Sequence, residues 1–176
     1  PGNVTFDWET GDGAVTDAAF EAASHICRLR LENNRIVINF MEPRAAIADW
    51  DPDTGRYTLH VGCQSGHGMR AGLASVLGIE EDTLHVIVPD TGGGFGARGG
   101  GDPGVALALI ATRHTGRPVK WTESRSEAFL TDTQARDHVF RGELALDVDG
   151  KFLALRVQGD WRHGAYMGNR GMWIMC

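Results

Sequence analysis

The stretch Leu84 to Asp102, reading LHVIVPDTGGGFGARGGGD, constrains this chain more than any other. An apolar, β-branched run (Val86, Ile87, Val88) reads as a buried strand and ends at Pro89. Gly92, Gly93, Gly94, Phe95, Gly96 and Arg98 follow, then Gly99, Gly100 and Gly101. Asp102-Pro103 comes next, a pair suited to the N-cap and first position of a helix. Backbone without Cβ can take φ > 0 and can approach a second backbone or a ligand closely. A flexible linker has no use for a lone aromatic in its middle. Glycines around one Phe, between a strand and a helix start, therefore predict a rigid loop presenting N–H groups to an anion or a polar ring edge. The plainer alternative is a tight or disordered strand-to-helix connection.

Gly94, Gly96 and Gly99 also spell GxGxxG, and Glu123 follows the next strand, where a dinucleotide site carries its ribose-binding acid. The spacing argues against that reading. In the dinucleotide pattern the first glycine lies in the tight turn leaving the strand, and the last lies inside the helix. Here Pro89-Asp90-Thr91 intervene, and the helix start falls beyond the last glycine of the pattern.

The chain has 176 residues, 42% of them hydrophobic, enough for one ordinary domain with a real core. We expect a single partial domain over residues 1–176, with residues 1–15 as a lead-in segment. Its 24 glycines are roughly double the usual share of about 7% and concentrate in the central loop. A net charge of −6 gives no reason to expect a nucleic acid or an anionic membrane as partner. No apolar run approaches the ~18 residues of a membrane span, and no signal-peptide pattern opens the sequence. Cys27, Cys63 and Cys176 form no CxxC pair, which suits a cytoplasmic chain with reduced thiols. The first residue is Pro1, and the apolar run Met172-Trp173-Ile174-Met175-Cys176 ends without a polar cap. Both ends read as cut, so a piece of something longer is expected.

Along the chain, Thr16 is expected to cap a short helix through Asp17–Ser24. Period-two alternation through Ile26–Glu32, the pair Asn33-Asn34, and then Ile36-Val37-Ile38 predict a hairpin. A second hairpin has arms Ala46–Trp50 and Tyr57–Val61 around the turn formers Asp51-Pro52-Asp53-Thr54-Gly55. A helix runs from about His67 to Leu77 and stops at Gly78. Beyond the glycine loop, Val105 to about His114 is apolar all round, which predicts a mostly buried helix closed by Gly116. A strand at Pro118–Thr122, a helix over Glu123–Leu130 and a hairpin of Arg141–Val148 with Lys151–Asp160 complete the pattern. The fold class is α+β (α/β layers): a mixed β-sheet with β-hairpins and packed helices.

Seven histidines invite a metal, yet no pair has HxxxH or HExxH spacing and no Cys/His quartet exists. Ser65 and Ser75 lack a nucleophile-elbow context. Paired carboxylates (Glu80, Glu81, Asp82; Asp51, Asp53) lie in turns, where solvation explains them. Gln64 stands apart, at the C-terminal end of one strand and next to a helix start. Its amide offers one acceptor and two donors without charge. The glycine loop also leaves the C-terminal end of its strand, and ligands gather where such ends share a sheet edge. Gln64 and Phe95 thus flank one ligand on this reading; the alternatives are an exposed loop amide and a Phe that anchors the loop in the core.

The motif DTGGGFGAR resembles the signature of the molybdopterin-binding large subunit of the molybdenum hydroxylases, the family of xanthine dehydrogenase, aldehyde oxidase and aerobic carbon monoxide dehydrogenase. The resemblance continues through NFMEPRAAIADWDPDTGRYTLHVGCQSGHGMRAGLASVLGI before the loop and GRPVKWTESRSEAFLTDTQARDH after it, and reaches ELALDVDGKFLALRV and HGAYMG. It implies a molybdenum held by the dithiolene of molybdopterin, in bacterial members usually as the cytosine dinucleotide, with no protein ligand to the metal. It implies cofactor-binding roles for Gln64, Gly93, Gly94, Phe95 and Gly96: the Gln64 amide near the molybdenum ligands, and the Phe95-Gly96 backbone beside the metal. The implied reaction hydroxylates an aldehyde or N-heterocycle, or oxidises carbon monoxide, with oxygen from water. Electrons would leave through iron–sulfur clusters and FAD on partner subunits or domains.

Two departures stand out. Purine- and aldehyde-oxidising relatives often carry Glu where this chain has Gly99, and many bacterial relatives have a Tyr-Pro-Glu-like step at Asp102-Pro103-Gly104. The family's catalytic glutamate lies beyond this chain, so the catalytic residue here is unknown. Partners implied are the remainder of the large subunit, the iron–sulfur and flavin subunits and a small-molecule substrate. Two other readings compete: a cofactor-free scaffold domain that keeps the fold, and a nucleotide-binding module using the glycine loop for phosphates.

Overall fold

Strict alternation places Ala46, Ala48, Tyr57, Leu59 and Val61 on one buried face of a hairpin, and this hairpin is the centre of the fold. The computed structural model describes residues 2–5 and 7–162. The chain divides into two compact units, Val37–Ala135 and the pair of segments Pro1–Ile36 and Arg136–Cys176.

In the first of these, β3 (Ala45–Trp50) and β4 (Tyr57–Val61) form the expected hairpin, flanked by β5 (Leu84–Ile87) and β6 (Val119–Thr122) in the order β5-β4-β3-β6. β3 pairs antiparallel with β4 and β6, whereas β4 and β5 run parallel. A parallel neighbour needs a crossover, supplied by α2 (Gly66–Leu77) and a 3₁₀ turn at Glu81–Thr83. Local chemistry fixes the ends of α2: Ser65 Oγ accepts the Gly68 N–H, and Gly78 stops the helix at φ 65°. The same logic bounds α3 (Pro103–Thr115), with Asp102 as N-cap and Gly116 in the left-handed region. A Ser124–Glu127 capping box opens α4 (Arg125–Thr131).

Helices α2 and α3 pack on the buried side of this sheet, closing a core of Leu59, Met69, Leu73, Leu84, Val105 and Leu109. The expectation of a mostly buried α3 fails at Leu107 (62% exposed) and Ile110 (51%). Only the stripe Val105, Ala108, Leu109 and Thr112 faces the sheet, because a helix lying on one side of a sheet offers it one face.

The second unit contains α1 (Gly13–Ala22) and the antiparallel sheet β1-β8-β9, with β1 His25–Asn33, β8 His138–Leu146 and β9 Phe152–Trp161. Helix α1 starts earlier than Thr16 predicts, inside the segment read as a lead-in, because Asp12 supplies the cap by accepting the Val15 N–H. The hairpin expected around Asn33-Asn34 does not form. Strand β1 instead pairs along its full length with β8, from His25 opposite Leu146 to Asn33 opposite His138. The short strand β2 (Ile36–Val37) pairs with β7 (Gln134–Ala135). Nine cross-strand partners outweigh the three, Ile36-Val37-Ile38, that the expected return at Asn33-Asn34 would offer. The β8–β9 hairpin is as expected, with Gly150 at φ 82° in its turn.

Cys27 is exposed and Cys63 buried, both free thiols; Cys176 and the apolar tail from Met172 lie outside the described residues. No helix among the described residues is long and apolar enough to cross a membrane. A mixed sheet with packed helices is thus the observed architecture, as the α+β reading expects.

Candidate functional site

Because β4 and β5 are parallel neighbours, they finish at the same edge of the sheet. Gln64 leaves the first and the glycine loop leaves the second, and the two meet. The Gln64 side-chain carbonyl accepts the N–H of Gly96 at 2.8 Å and that of Arg98 at 3.3 Å. The Gln64 N–H in turn donates to the Arg98 carbonyl at 2.9 Å. Two donors on Oε1 settle which way the amide points: the oxygen faces the loop and the NH₂ group faces away from it.

The glycines differ in what they do. A Cβ on Gly94 would lie 2.6 Å from Gln64 Cδ, so this glycine makes room for the amide. Gly93 (φ 101°) and Gly96 (φ 93°) occupy the left-handed region that bends the loop. Between them Phe95 itself sits at φ 47°, 77% exposed, with its ring edge beside Gly93. It is no core anchor. The N–H groups of Gly93, Gly94 and Phe95 make no hydrogen bond among the described residues.

Beneath the loop lies an ion pair. Arg98 is 1% exposed; its guanidinium stacks 4.2 Å over the buried Phe40 ring and bonds Glu42 Oε2 at 2.5 Å and the Glu42 carbonyl. Glu42 also accepts the Gly92 N–H at 2.8 Å and donates its own N–H to the Gly92 carbonyl at 3.3 Å. The hydrogen bond from Arg98, then that from Gly92, hold the Glu42 carboxyl below its ordinary value of 4.5. A depressed carboxyl contributes stability that is complete above its unfolded value and is lost as pH falls through the folded one. Unfolding free energy is therefore expected to decline below about pH 4.5, and Glu42→Gln to flatten that decline in urea titrations across pH. An unchanged slope would count against the pair.

A second arginine supports the loop from behind. Arg44, 9% exposed, donates to the Ala97 carbonyl at 3.2 Å and bonds the Asp132 carboxylate. Its Nε lies 3.3 Å from Asp102 and 3.7 Å from Glu123. Glu123, 3% exposed, accepts the Thr131 hydroxyl at 2.9 Å, so it is a buried structural acid and not a ribose ligand. Among the described residues no His, Cys, Asp and Glu side chains gather into a metal site.

The structure thus brings Gln64, Gly93, Gly94, Phe95 and Gly96 to one edge. Sequence reasoning gave no site role to Phe40, Glu42, Arg44, Gly92 or Arg98. One signal was available: an arginine set among glycines, with a Met-Glu-Pro-Arg turn upstream to supply its partner.

Comparison with known proteins gives the site its context. The chain is 38% identical to the carbon monoxide dehydrogenase large chain of Hydrogenophaga pseudoflava, over 93% of this chain and 20% of that one. It is 32% identical to the nicotine 6-hydroxylase large subunit of Paenarthrobacter nicotinovorans, over 100% and 22% respectively. The chain spans about a fifth of the length of the curated relatives it matches. Among solved structures, the reconstituted CO dehydrogenase from Oligotropha carboxidovorans superposes with a TM-score of 0.77 at 37% identity, covering 86% of this chain and 19% of that chain. Quinoline 2-oxidoreductase from Pseudomonas putida 86 does so with a TM-score of 0.72 at 34% identity, covering 81% and 18%. A family model described as the molybdopterin cofactor-binding domain matches residues 1–175. The chain therefore belongs to the molybdopterin cofactor-binding domain family.

Proposed function

We propose that this chain is the part of a molybdenum hydroxylase large subunit that holds one side of molybdopterin, as the cytosine dinucleotide, through Gln64, Gly93, Gly94, Phe95 and Gly96. The carrying observation is the Gln64 amide, whose oxygen is committed to Gly96 and Arg98 and whose NH₂ is left to donate outward. The residues present fit an oxygen-rich, anionic group: that NH₂ and the N–H groups of Gly93, Gly94 and Phe95 are all donors, and the carboxylate at the loop entry, Glu42, is paired with Arg98. When bound, the cofactor supplies two-electron oxidation with oxygen taken from water.

The chain's own contribution is positional. Gln64 orients through a neutral hydrogen bond, the turns at Gly93 and Gly96 let backbone approach closely, and Phe95 gives an apolar wall beside them. The substrate class is an aldehyde, an N-heterocycle or carbon monoxide, with Gly99 in place of an acid arguing against purines. Electrons pass to iron–sulfur and FAD groups on partner subunits, and two free thiols suit a cytoplasmic setting.

Metal and nucleotide analysis of the protein isolated with its native subunits tests this: about one molybdenum per chain is expected, with cytidine nucleotide released on acid hydrolysis. Gln64→Glu keeps the acceptor for the loop and replaces the donor with negative charge, so turnover is expected to fall about 10²-fold or more with an unchanged circular dichroism spectrum. Full turnover in Gln64→Glu would remove the amide from the site, and a metal-free native protein would favour a scaffold role.

A further inference from the structure

We infer that Glu42 and Arg98 form a clamp that closes the glycine loop at both ends and so sets the Gln64–Gly96 edge, making them positioning residues for the cofactor; the inference rests on the function proposed above. Glu42 holds the loop where it begins, through two hydrogen bonds with the backbone of Gly92. The main chain of Arg98 holds it where it ends, its N–H donating to Gln64 Oε1 and its carbonyl accepting the Gln64 N–H. One ion pair joins the two holders, and Phe40 fixes the plane of the guanidinium from below. The loop is a closed ring, held at its two ends by this pair.

The fit at each joint is close. A Cβ on Gly92 would lie 2.5 Å from Glu42 Cβ, and one on Gly62 would lie 3.2 Å from the Arg98 guanidinium. Backbone on both sides is therefore pressed against the pair, with no slack for it to shift while the loop stays put. The carboxylate accepts from Arg98 and from Gly92 on a single oxygen, Oε2. Loss of the anion loosens the loop entry and the loop exit together. A lysine at 98 would keep the charge yet lose the planar fork and the stacking surface.

The test is hydrogen exchange together with molybdenum content, on the protein isolated as its host assembles it, for Glu42→Gln, Arg98→Met and Arg98→Lys. Exchange at the Gly96 and Arg98 amides, whose acceptor is Gln64 Oε1, is expected to rise at least 10-fold in Glu42→Gln and Arg98→Met. Exchange at Leu59 in the core of β4 should stay within 2-fold. Molybdenum content falls in the same two variants, and Arg98→Lys recovers part of both readouts. Unchanged protection at Gly96 and Arg98 overturns the clamp, and so does a parallel loss at Leu59, which would mean ordinary loss of stability. Exchange reports on the loop whether or not metal is bound, so a wild-type protein without molybdenum would remove the functional reading while the clamp still stands or falls on the amides.

Discussion

A single methyl group at Gly94 is expected to disable the site and leave the fold standing. In Gly94→Ala the new Cβ lies 2.6 Å from Gln64 Cδ and 2.7 Å from its Cγ and Oε1, closer than such atoms tolerate. The loop backbone is held by the clamp beneath it, whereas Gln64 is an exposed side chain free to swing aside. The amide therefore leaves, and with it the bonds to Gly96 and Arg98. Each such bond contributes about 0.5–1.5 kcal/mol to stability, so the melting temperature should drop by a few degrees only. Turnover should fall about 10²-fold or more, as when a preorganised donor is removed from a site. Gly72→Ala on α2 is the control, since its Cβ meets nothing nearer than 3.8 Å and alanine favours a helix. Turnover in Gly94→Ala equal to that in Gly72→Ala would show that Gln64 does not matter.

The largest loss of stability is expected from Arg44→Met. Among the described residues Arg44 is the one cation paired with Asp102, Glu123 and Asp132, and the latter two side chains are each 3% exposed. Removing one partner of a buried pair costs about 3–5 kcal/mol, because the carboxylate left behind has lost both its counter-charge and its water. For a chain of this size that is roughly 10 °C or more in melting temperature. The same change frees the Ala97 carbonyl, so the back of the glycine loop loses its strut. Adding Asp132→Asn to Arg44→Met should restore part of the loss by taking away one stranded charge. Urea unfolding of the two variants provides the measurement; a loss below about 1 kcal/mol, the scale of an exposed pair, would sink the account.

What was legible in the sequence is what local chemistry determines. The ends of α2 and α3 follow from Ser65 with Gly78 and from Asp102 with Gly116, each a cap acting within four residues. The β3–β4 hairpin follows from alternation and a turn, and the meeting of Gln64 with the loop follows from two strands finishing at one edge. Pairings between distant segments were not legible. Strand β1 finds β8 more than a hundred positions away, and nothing in Asn33-Asn34 reports that a longer partner exists. Nothing near Arg98 in the glycine run reports its burial, which depends on a carboxylate 56 positions earlier. The exposure of Leu107 and Ile110 was hidden for a related reason, since an all-apolar helix does not announce which side lacks a cover.

The parallel pairing of β4 with β5 also bears on when the site comes into being. Gln64 and Gly96 stand 32 residues apart in the chain, with all of α2 between them. Closing a loop of that length costs chain entropy, which the docking of α2 and the pairing of β5 with β4 offset, so the amide is expected to seat after both. A large organic cofactor that uses this edge is then expected to meet a finished surface, its insertion following the assembly of the strands.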